Sequence, residues 1–388
     1  MNSNALFMDE PFELEVNRPS SKKSKVITYE IMHMERSVAR ISTNGKARIL
    51  EEQFMPYDLY FEEDDENDID ILMNNINNFQ YWCASRILSL DRKYAKELLN
   101  SIGAAQAVTD KDRADVTLSY HCVSLTDVYW VKELEEELTF AAINLYDKTL
   151  NEAIVELSLK GKQMTVSNEE LAPDLSTKGC FPKAWIRGEN GFKLLKDGGE
   201  EAVRNELLAS EICQCFDVPQ VVYREQRYAG EPVTESDIIT TREFSIISKY
   251  SFDIYALNHD LNTIEVCKEL DPVTYYGMNI LDYLTGNTDR HPENWGFLID
   301  NKNNHYISLY PVMDFNKCFL AYEDLDGANC QTVQDRGVSQ KDAAIEAVKH
   351  IGLRQIREMD MSKFGAMKKE AEMFERRLAE LKKYAKGV

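Results

Sequence analysis

A chain of 388 residues is long enough for roughly two or three domains, and its 44% hydrophobic and 29% charged residues are typical of a globular protein. The formal net charge of −21 argues against nucleic acid as a direct ligand, because so acidic a surface repels phosphates. No apolar run approaches the ~18 residues of a membrane span, and the N-terminus lacks the features of a signal peptide. We therefore expect a cytoplasmic protein without membrane contact.

The first part of the chain, residues 1–165, is predicted to be an accessory α+β region. Residues 26–34 alternate as in a strand, and 36–50 can continue as a hairpin. Apolar residues recur at helical spacing over 68–99, and 110–125 also has a helical pattern. No residue of this region indicates a chemistry, so its role stays open.

The remaining chain divides into a strand-rich part and a helical part. A polar stretch around Pro173 predicts the boundary with the accessory region. Short strands dominate residues 166–250, and helices dominate residues 251–388. From Gln340 onward the pattern is almost wholly helical.

The most informative segment places two carboxylates around a short hairpin. Asp289 and Asn294 stand five positions apart in Asp-Arg-His-Pro-Glu-Asn. Residues 295–299 and 305–310 are predicted as paired strands, and Asp314 follows them. Phosphoryl transfer needs a carboxylate that orients the incoming hydroxyl, and oxygen ligands that hold Mg²⁺ on the nucleotide phosphates. The pattern predicts Asp289 as the base or orienting group, with Asn294 and Asp314 as metal ligands.

His291 lies inside the same segment, two positions after the predicted base. It can reach the transferred phosphate or brace the loop, and a histidine of the core is the alternative. A single Asp or Asn in a polar loop usually forms a turn. The prediction therefore depends on the joint pattern rather than on any one residue.

A phosphotransferase also needs a cation on the non-transferred phosphates. Residues 183–187 and 192–195 are predicted as paired strands, and Lys196 ends the second one. A helix predicted over 200–216 carries Glu206 at the border of its apolar stripe, where it can point inward toward Lys196. A phosphate-binding Lys paired with a helix Glu is the arrangement that phosphoryl transfer favours. Exposed side chains on a charge-rich helix are the alternative.

A second phosphate-binding element precedes the hairpin. Ser176 opens the run Ser-Thr-Lys-Gly-Cys-Phe-Pro-Lys, which contains Gly179 and ends at Lys183. Hydroxyl groups and a glycine let main-chain N–H groups approach a phosphate. As a motif by itself this run has little specificity.

Taken together, these elements resemble the HipA-like serine/threonine kinases. The resemblance extends over about 174–388 and rests on the following elements in order: Ser-x-x-Gly-x-x-x-Lys at 176–183, Lys196, Asn205-Glu206, Asn-Thr-Asp-x-His-x-x-Asn at 287–294, and Asp314. It implies an α+β fold with a protein-kinase-like, bilobal catalytic region and a mainly helical C-terminal part. Residues 166–250 are then the nucleotide-binding lobe, and residues 251–388 the catalytic lobe.

The resemblance also implies roles for single residues. Lys196 takes the role of the ATP-phosphate lysine, Asp289 that of the catalytic aspartate, and His291 that of the motif histidine. Asn294 and Asp314 take the metal roles. ATP and Mg²⁺ are the implied cofactors, and the hydroxyl of a protein is the implied acceptor.

Further expectations concern the nucleotide base and regulation. Ser248 and Tyr250 follow a predicted strand at the place of the adenine-binding hinge, although these residues differ from the usual acidic and aromatic pattern. Ser176 is implied as an autophosphorylation site, with Thr177 as the alternative acceptor. Kinases of this kind often belong to toxin–antitoxin systems, which implies an antitoxin-like or regulatory protein partner.

Two other functions stay open at this point. The run Gly-x-x-Asp-Arg-His-Pro-x-Asn is also similar to the catalytic loop of phosphatidylinositol kinases, which leaves a lipid or small-molecule kinase as an alternative. The acidic surface argues against docking on anionic membranes. A nucleotide-binding scaffold with negligible activity is the third hypothesis, and the intact set of Lys, Asp and Asn residues argues against it.

Overall fold

The computed structural model describes residues 25–63, 67–88, 93–102, 109–147, 181–189, 191–319 and 324–385. These residues form a mixed α/β structure with three antiparallel sheets. No helix within the described ranges is long and apolar enough to cross a membrane. The predicted residues Ser176 and Gly179, the alternative acceptor Thr177 and the boundary at 165/166 lie outside the described residues.

The first sheet lies in the N-terminal part and has the strand order β3-β2-β1-β4. Its strands are β1 (Thr28–His33), β2 (Arg36–Ser42), β3 (Ala47–Ile49) and β4 (Tyr129–Glu133). The strands predicted over 26–50 are therefore confirmed. The turn between β2 and β3 needs Gly45, because a Cβ atom there would lie 2.3 Å from the carbonyl oxygen of Leu72.

Helices accompany this sheet in the N-terminal part. They are α1 (Ile69–Ala84), α2 (Ala95–Ser101), α3 (Asp110–Leu118) and α4 (Phe140–Ile143), with 3-10 turns at Glu52–Phe54 and Leu145–Asp147. The helical pattern predicted over 68–99 is present as two helices, with α1 ending at Ala84 and α2 beginning after Tyr94, which has a left-handed backbone with φ of 68°. The helix predicted over 110–125 is too long. It ends at Leu118 because His121 and Cys122 are also left-handed, with φ of 58° and 55°.

The second sheet has the order β5-β6-β8-β7 and lies beside one long helix. It comprises β5 (Lys183–Gly188), β6 (Gly191–Lys196), β7 (Arg224–Tyr228) and β8 (Glu231–Asp237), and the helix is α5 (Gly199–Cys213). The hairpin predicted from 183 to 195 is confirmed. The helix predicted over 200–216 is present and ends three residues earlier, at Cys213.

The third sheet joins the strand Phe244–Ser248 to the hairpin predicted over 295–310. Its order is β11-β10-β9, with β9 (Phe244–Ser248), β10 (Gly296–Asp300) and β11 (His305–Leu309). The hairpin predicted over 295–310 is confirmed. A Cβ atom at Gly296 would lie 2.1 Å from the carbonyl oxygen of Ile247, so β9 and β10 can approach this closely only with a glycine.

The C-terminal part is helical and is centred on α8. Its helices are α6 (Lys249–Asn258), α7 (Thr263–Leu270), α8 (Pro272–Thr285), α9 (Gln340–Ile351) and α10 (Lys368–Lys382), with a 3-10 turn at Met361–Phe364. Residues 274–285 of α8 are buried throughout, and α9 and α10 pack against this helix. The helical run predicted from Gln340 to the end is interrupted after Ile351, where Gly352 has φ of 74°. The predicted boundary at 250/251 falls inside α6, and the division into lobes stays a prediction.

The N-terminal region holds the tip of the hairpin between β10 and β11. Asn304, a left-handed residue with φ of 57°, stands at that tip. Its side chain donates hydrogen bonds to the carbonyl oxygens of Gln53 (3.1 Å) and Met55 (3.0 Å). Tyr129 donates to the Asn304 side chain (3.0 Å), and Tyr57 donates to its carbonyl oxygen (2.6 Å). The accessory region is therefore anchored directly on the hairpin that lies between the predicted site residues Asn294 and Asp314.

Candidate active site

A cavity of about 720 Å³ gathers most of the predicted site residues. It is bordered by the second sheet, the third sheet and the N-terminal region. The predicted residues that line it are Lys183, Lys196, Ser248, Tyr250, Asp289, His291, Asn294 and Asp314. Glu206 stands behind Lys196 and reaches the cavity only through that lysine. A cavity of this size falls in the range of pockets for drug-sized ligands.

Lys196 lies between two carboxylates. Its ammonium group donates to Glu206 at 2.6 Å and to Asp314 at 2.8 Å, and the Lys196 and Glu206 side chains are 5% and 2% exposed. The second oxygen of Glu206 accepts a hydrogen bond from the Thr234 hydroxyl at 2.6 Å. The predicted contact between Lys196 and Glu206 is confirmed, and α5 therefore fixes the lysine from behind. The role of this lysine in nucleotide binding stays a prediction.

The charges of this network are strongly stabilised. Burial opposes the charged form of Lys196, but the carboxylates of Asp314 and Glu206 raise its pKa well above the usual range. Burial likewise opposes ionisation of Asp314, but Lys196, and then Lys183, lower the pKa of Asp314 well below its usual range. The site therefore holds a permanent cation beside a permanent anion at neutral pH.

The backbone at Asp314 is unusual. Its φ is 62°, a left-handed conformation that costs energy for a residue other than glycine and that occurs often at functional sites. The main-chain N–H donates to the Tyr223 hydroxyl at 3.1 Å, and Asn316 donates to the carboxylate at 2.7 Å. Tyr223, which sequence reasoning did not single out, thus helps to hold the predicted metal ligand.

The loop of Asp289 and Asn294 is ordered by its own side chains. The N–H of Asp289 donates to the Asn287 side chain at 3.0 Å, and the Asn294 amide donates to the Asp289 carbonyl oxygen at 2.9 Å. Asn287 in turn donates to Asp282 on α8 at 2.9 Å. The five-position spacing therefore brings the two predicted residues into one compact turn.

Arg290 anchors this loop from below and was missed by the sequence analysis. It is 2% exposed and forms a bidentate ion pair with Asp282. The same guanidinium donates to the carbonyl oxygens of Asn294 (3.0 Å) and Met313. It ties the loop to the segment that precedes Asp314. A buried arginine between two such segments is a positioning residue, and its place inside the Asp-x-His motif was the only sequence signal for it.

His291 is partly exposed at the cavity wall, so the alternative of a core histidine is wrong. Its Nδ1 atom accepts a hydrogen bond from the N–H of Glu293 at 3.3 Å. This contact orients the ring within the loop. Contact with a transferred phosphate stays a prediction.

Ser248 and Tyr250, the predicted hinge residues, stand where β9 passes into α6. The Ser248 hydroxyl accepts a hydrogen bond from the N–H of Ser251 at 3.2 Å and so caps the helix. The N–H of Tyr250 donates to the Pro292 carbonyl oxygen at 3.0 Å, which links this segment to the loop of Asp289. Their place beside a nucleotide base stays a prediction.

The free edge of β9 faces the N-terminal region. The N–H of Ile246 donates to the carbonyl oxygen of Thr126 at 2.9 Å, so its main-chain groups point away from β10. Ser248, two residues further along the strand, shares this direction because strand residues alternate. The cavity is lined by Ser124, Thr126 and Asp127 at this edge. Residues of the accessory region thus form part of the cavity wall.

Asn294 and Asp314 fit a magnesium site only in part. They supply one amide oxygen and one carboxylate, which are oxygen ligands of the kind that Mg²⁺ takes. No group of three or more His, Cys, Asp and Glu side chains in the described part of the chain is arranged to hold a metal. Mg²⁺ usually keeps several waters and shares the phosphates of a nucleotide. The two residues are thus consistent with a metal that arrives with its nucleotide.

No family model matches this chain, and no curated protein matches it. Among solved structures, the Helicobacter pylori proinflammatory kinase CtkA aligns with 17% identity and a TM-score of 0.39, over 52% of this chain and 90% of that chain. A chain from the Shewanella oneidensis MR-1 complex of HipA, HipB and operator DNA, a toxin–antitoxin system, aligns with 10% identity and a TM-score of 0.47, over 92% and 97%. The FAT and kinase domain of CtTel1 aligns with 11% identity and a TM-score of 0.27, over 87% and 32%. These three TM-scores lie below 0.5, so the proposed function rests on the contacts of the site itself.

Proposed function

We propose that this chain is an ATP-dependent phosphotransferase that acts on a protein hydroxyl, as a HipA-like serine/threonine kinase does. The observation that carries the proposal is the position of Lys196, paired with both Glu206 and Asp314 at the wall of a cavity that also contains Asp289 and Asn294. A structural ion pair needs one partner. Here a cation, a potential metal ligand and a potential base share one wall.

Each residue has a role in this proposal. Asp289 accepts the proton of the acceptor hydroxyl while the hydroxyl oxygen forms a bond to the γ-phosphorus. The bond between that phosphorus and the bridging oxygen breaks, and ADP leaves with the electron pair. Lys196 neutralises the non-transferred phosphates, and Asn294 and Asp314 hold Mg²⁺. The metal, when bound, supplies positive charge to the phosphate oxygens.

In this proposal the nucleotide base lies against the edge of β9 that is not paired with β10. The main-chain groups of Ile246 and Ser248 point to this side, and the N–H of Ile246 already bonds Thr126. The carbonyl oxygen of Ile246 and the N–H of Ser248 would offer an acceptor and a donor to the base. Adenine presents both a donor and an acceptor on one edge. This arrangement supports the prediction that the hinge segment binds ATP, and that the accessory region closes the base end.

One experiment distinguishes the three candidate functions. Purified protein is incubated with γ-labelled ATP and Mg²⁺, with either a mixture of proteins or a lipid extract, beside the Asp289→Asn variant. Label on protein from the wild type alone supports the proposal. Label on lipid alone would identify the lipid kinase instead. ATP binding without any transfer would leave the nucleotide-binding scaffold. A regulatory protein partner stays a prediction that this experiment does not address.

A further inference from the structure

A second lysine contacts the predicted base. The ammonium group of Lys317 lies 3.0 Å from Oδ2 of Asp289, and both side chains line the cavity. The Lys317 side chain is 41% exposed and that of Asp289 is 24% exposed. Ion pairs with this exposure contribute little to stability, and solvent competes for them. The pair can therefore open when a ligand offers the lysine a better partner.

The main chain keeps Lys317 beside the loop of Asp289. The N–H of Phe319 donates to the carbonyl oxygen of Thr285 at 2.8 Å, and the Asn205 side chain donates to that of Cys318 at 3.3 Å. The segment after Asp314 is thus attached to the end of α8, where the loop begins. The backbone is held, while the lysine side chain can move.

The two lysines of the site differ in what they can do. Lys196 is 5% exposed and is held by two carboxylates, so its ammonium group cannot follow a reacting group. Within the described residues, Lys317 is paired with Asp289 alone, the group that must take up the acceptor hydroxyl. This exposed pair can open when a bound nucleotide offers the ammonium group of Lys317 another anion, and Asp289 is then available for the acceptor hydroxyl.

The transferred phosphoryl group is that anion. An acceptor hydroxyl held by Asp289 must lie about 3–3.5 Å from the γ-phosphorus. An ammonium group that touches Asp289 is therefore within reach of the non-bridging oxygens of the same phosphorus. Lysine binds phosphate as a flexible point charge with three donors. Charge fixed on these oxygens stabilises the transition state.

We propose that Lys317 is a further catalytic residue, which leaves Asp289 on nucleotide binding and donates to the non-bridging oxygens of the γ-phosphate. This inference rests on the proposed function. The acceptor oxygen forms the new bond to phosphorus, the bond to the bridging oxygen breaks, and the hydroxyl proton passes to Asp289. Lys317 keeps its proton throughout, since it supplies charge and not acid catalysis.

The test compares two nucleotides that differ only in the γ-phosphate. Binding of Mg²⁺-ADP and of the Mg²⁺ complex of the non-hydrolysable β,γ-imido analogue of ATP is measured by calorimetry for wild type, Lys317→Met and Lys317→Arg. We expect Lys317→Met to weaken binding of the analogue roughly 10- to 100-fold, as for one lost charged hydrogen bond, and to leave ADP affinity within about twofold. Lys317→Arg should keep most of the preference for the analogue. Turnover in Lys317→Met should fall roughly 10²-fold or more.

Lys268→Met is the matched control, because Lys268 is a partly exposed lysine in an ion pair with Glu265 at 3.1 Å, away from the cavity. It should bind both nucleotides like the wild type. Equal loss of both nucleotides in Lys317→Met, or an unchanged preference for the analogue, would overturn the inference while the proposed function stands. A wild type that binds neither nucleotide would instead overturn the proposed function. If Lys317→Met does not fold, the same comparison is made with Lys317→Gln.

Discussion

Replacing Lys196 by methionine tests the buried charge network, because the change removes the cation and keeps much of the side-chain volume. Removing one partner from a buried ion pair costs about 3–5 kcal/mol of stability. Glu206, at 2% exposure, keeps a hydrogen bond from Thr234, and Asp314 keeps one from Asn316. Because these donors remain, we expect the free energy of unfolding to fall by about 3 kcal/mol at neutral pH, near the lower end of that range.

The loss should depend on pH with a definite sign. In the wild type the pKa of Asp314 is lowered, so its stabilising effect is present above the unfolded pKa of about 3.9 and is lost only as the pH falls through the folded pKa. Without Lys196, two carboxylates share a largely buried site, which raises the pKa of one of them. Protonation of that carboxyl group removes the repulsion between the two carboxylates, so the destabilisation diminishes as the pH is lowered. The difference in the free energy of unfolding between variant and wild type should therefore shrink as the pH falls. The change is about 1.4 kcal/mol for each pH unit over which the folded variant binds one extra proton.

Urea denaturation at pH 7.5, 6.5 and 5.5, followed by tryptophan fluorescence, measures both effects. Lys268→Met serves as the control, since it removes a surface lysine whose pair contributes little. A stability loss below about 1 kcal/mol at pH 7.5, or a loss that is the same at all three values, would refute the account of a buried and mutually stabilised network.

The other predictions concern the reaction, the metal, the fold and regulation. Asp289→Asn should lower kcat by roughly 10²–10⁴-fold in steady-state kinetics, with little change in ATP affinity. A turnover near that of the wild type would show that Asp289 is not part of the mechanism. Asp314→Ala should weaken Mg²⁺-dependent ATP binding in calorimetry, because a hard cation loses an anionic ligand. Gly296→Ala should destabilise the chain by about 3 kcal/mol or more in urea, since its Cβ atom would strike the main chain of β9. Prolonged incubation with Mg²⁺-ATP should place phosphate on Ser176, with loss of activity, and mass spectrometry would detect it. The same amount of phosphate on Ser176 in the Asp289→Asn variant would count against autophosphorylation.

Local patterns in the sequence predicted the elements that depend on neighbours along the chain. The hairpin β10–β11 was predicted because two apolar runs flank a polar turn, and β5–β6 for the same reason. The helix after Leu118 was overpredicted because His121 and Cys122 carry no signal of a left-handed turn, which glycine would have supplied. Backbone conformation that tertiary packing imposes is not visible in residue type.

In the candidate site, too, some contacts could be predicted from the sequence and others could not. The contact of Lys196 with Glu206 was predictable, because Glu206 borders the apolar stripe of a helix that follows the lysine directly. The supporting contacts were not. Arg290 reaches Asp282 across the end of α8, and Tyr223 approaches Asp314 over 91 positions. These pairs are set by how helix, loop and sheets pack together, and no periodicity within one element encodes them.

The hydrogen bonds between the N-terminal region and Asn304 bear on whether the parts of this chain can be separated. An autonomous module can be cut away at the cost of a few surface contacts, whereas here the cut would leave the Asn304 side chain without three of its hydrogen bonds. The ring of Tyr57, stacked on Phe252 beneath the same hairpin, would be lost as well. A fragment that begins at β5 would therefore open the hairpin tip to solvent. We therefore expect the N-terminal region and the hairpin β10–β11 to be expressed and to unfold as one unit.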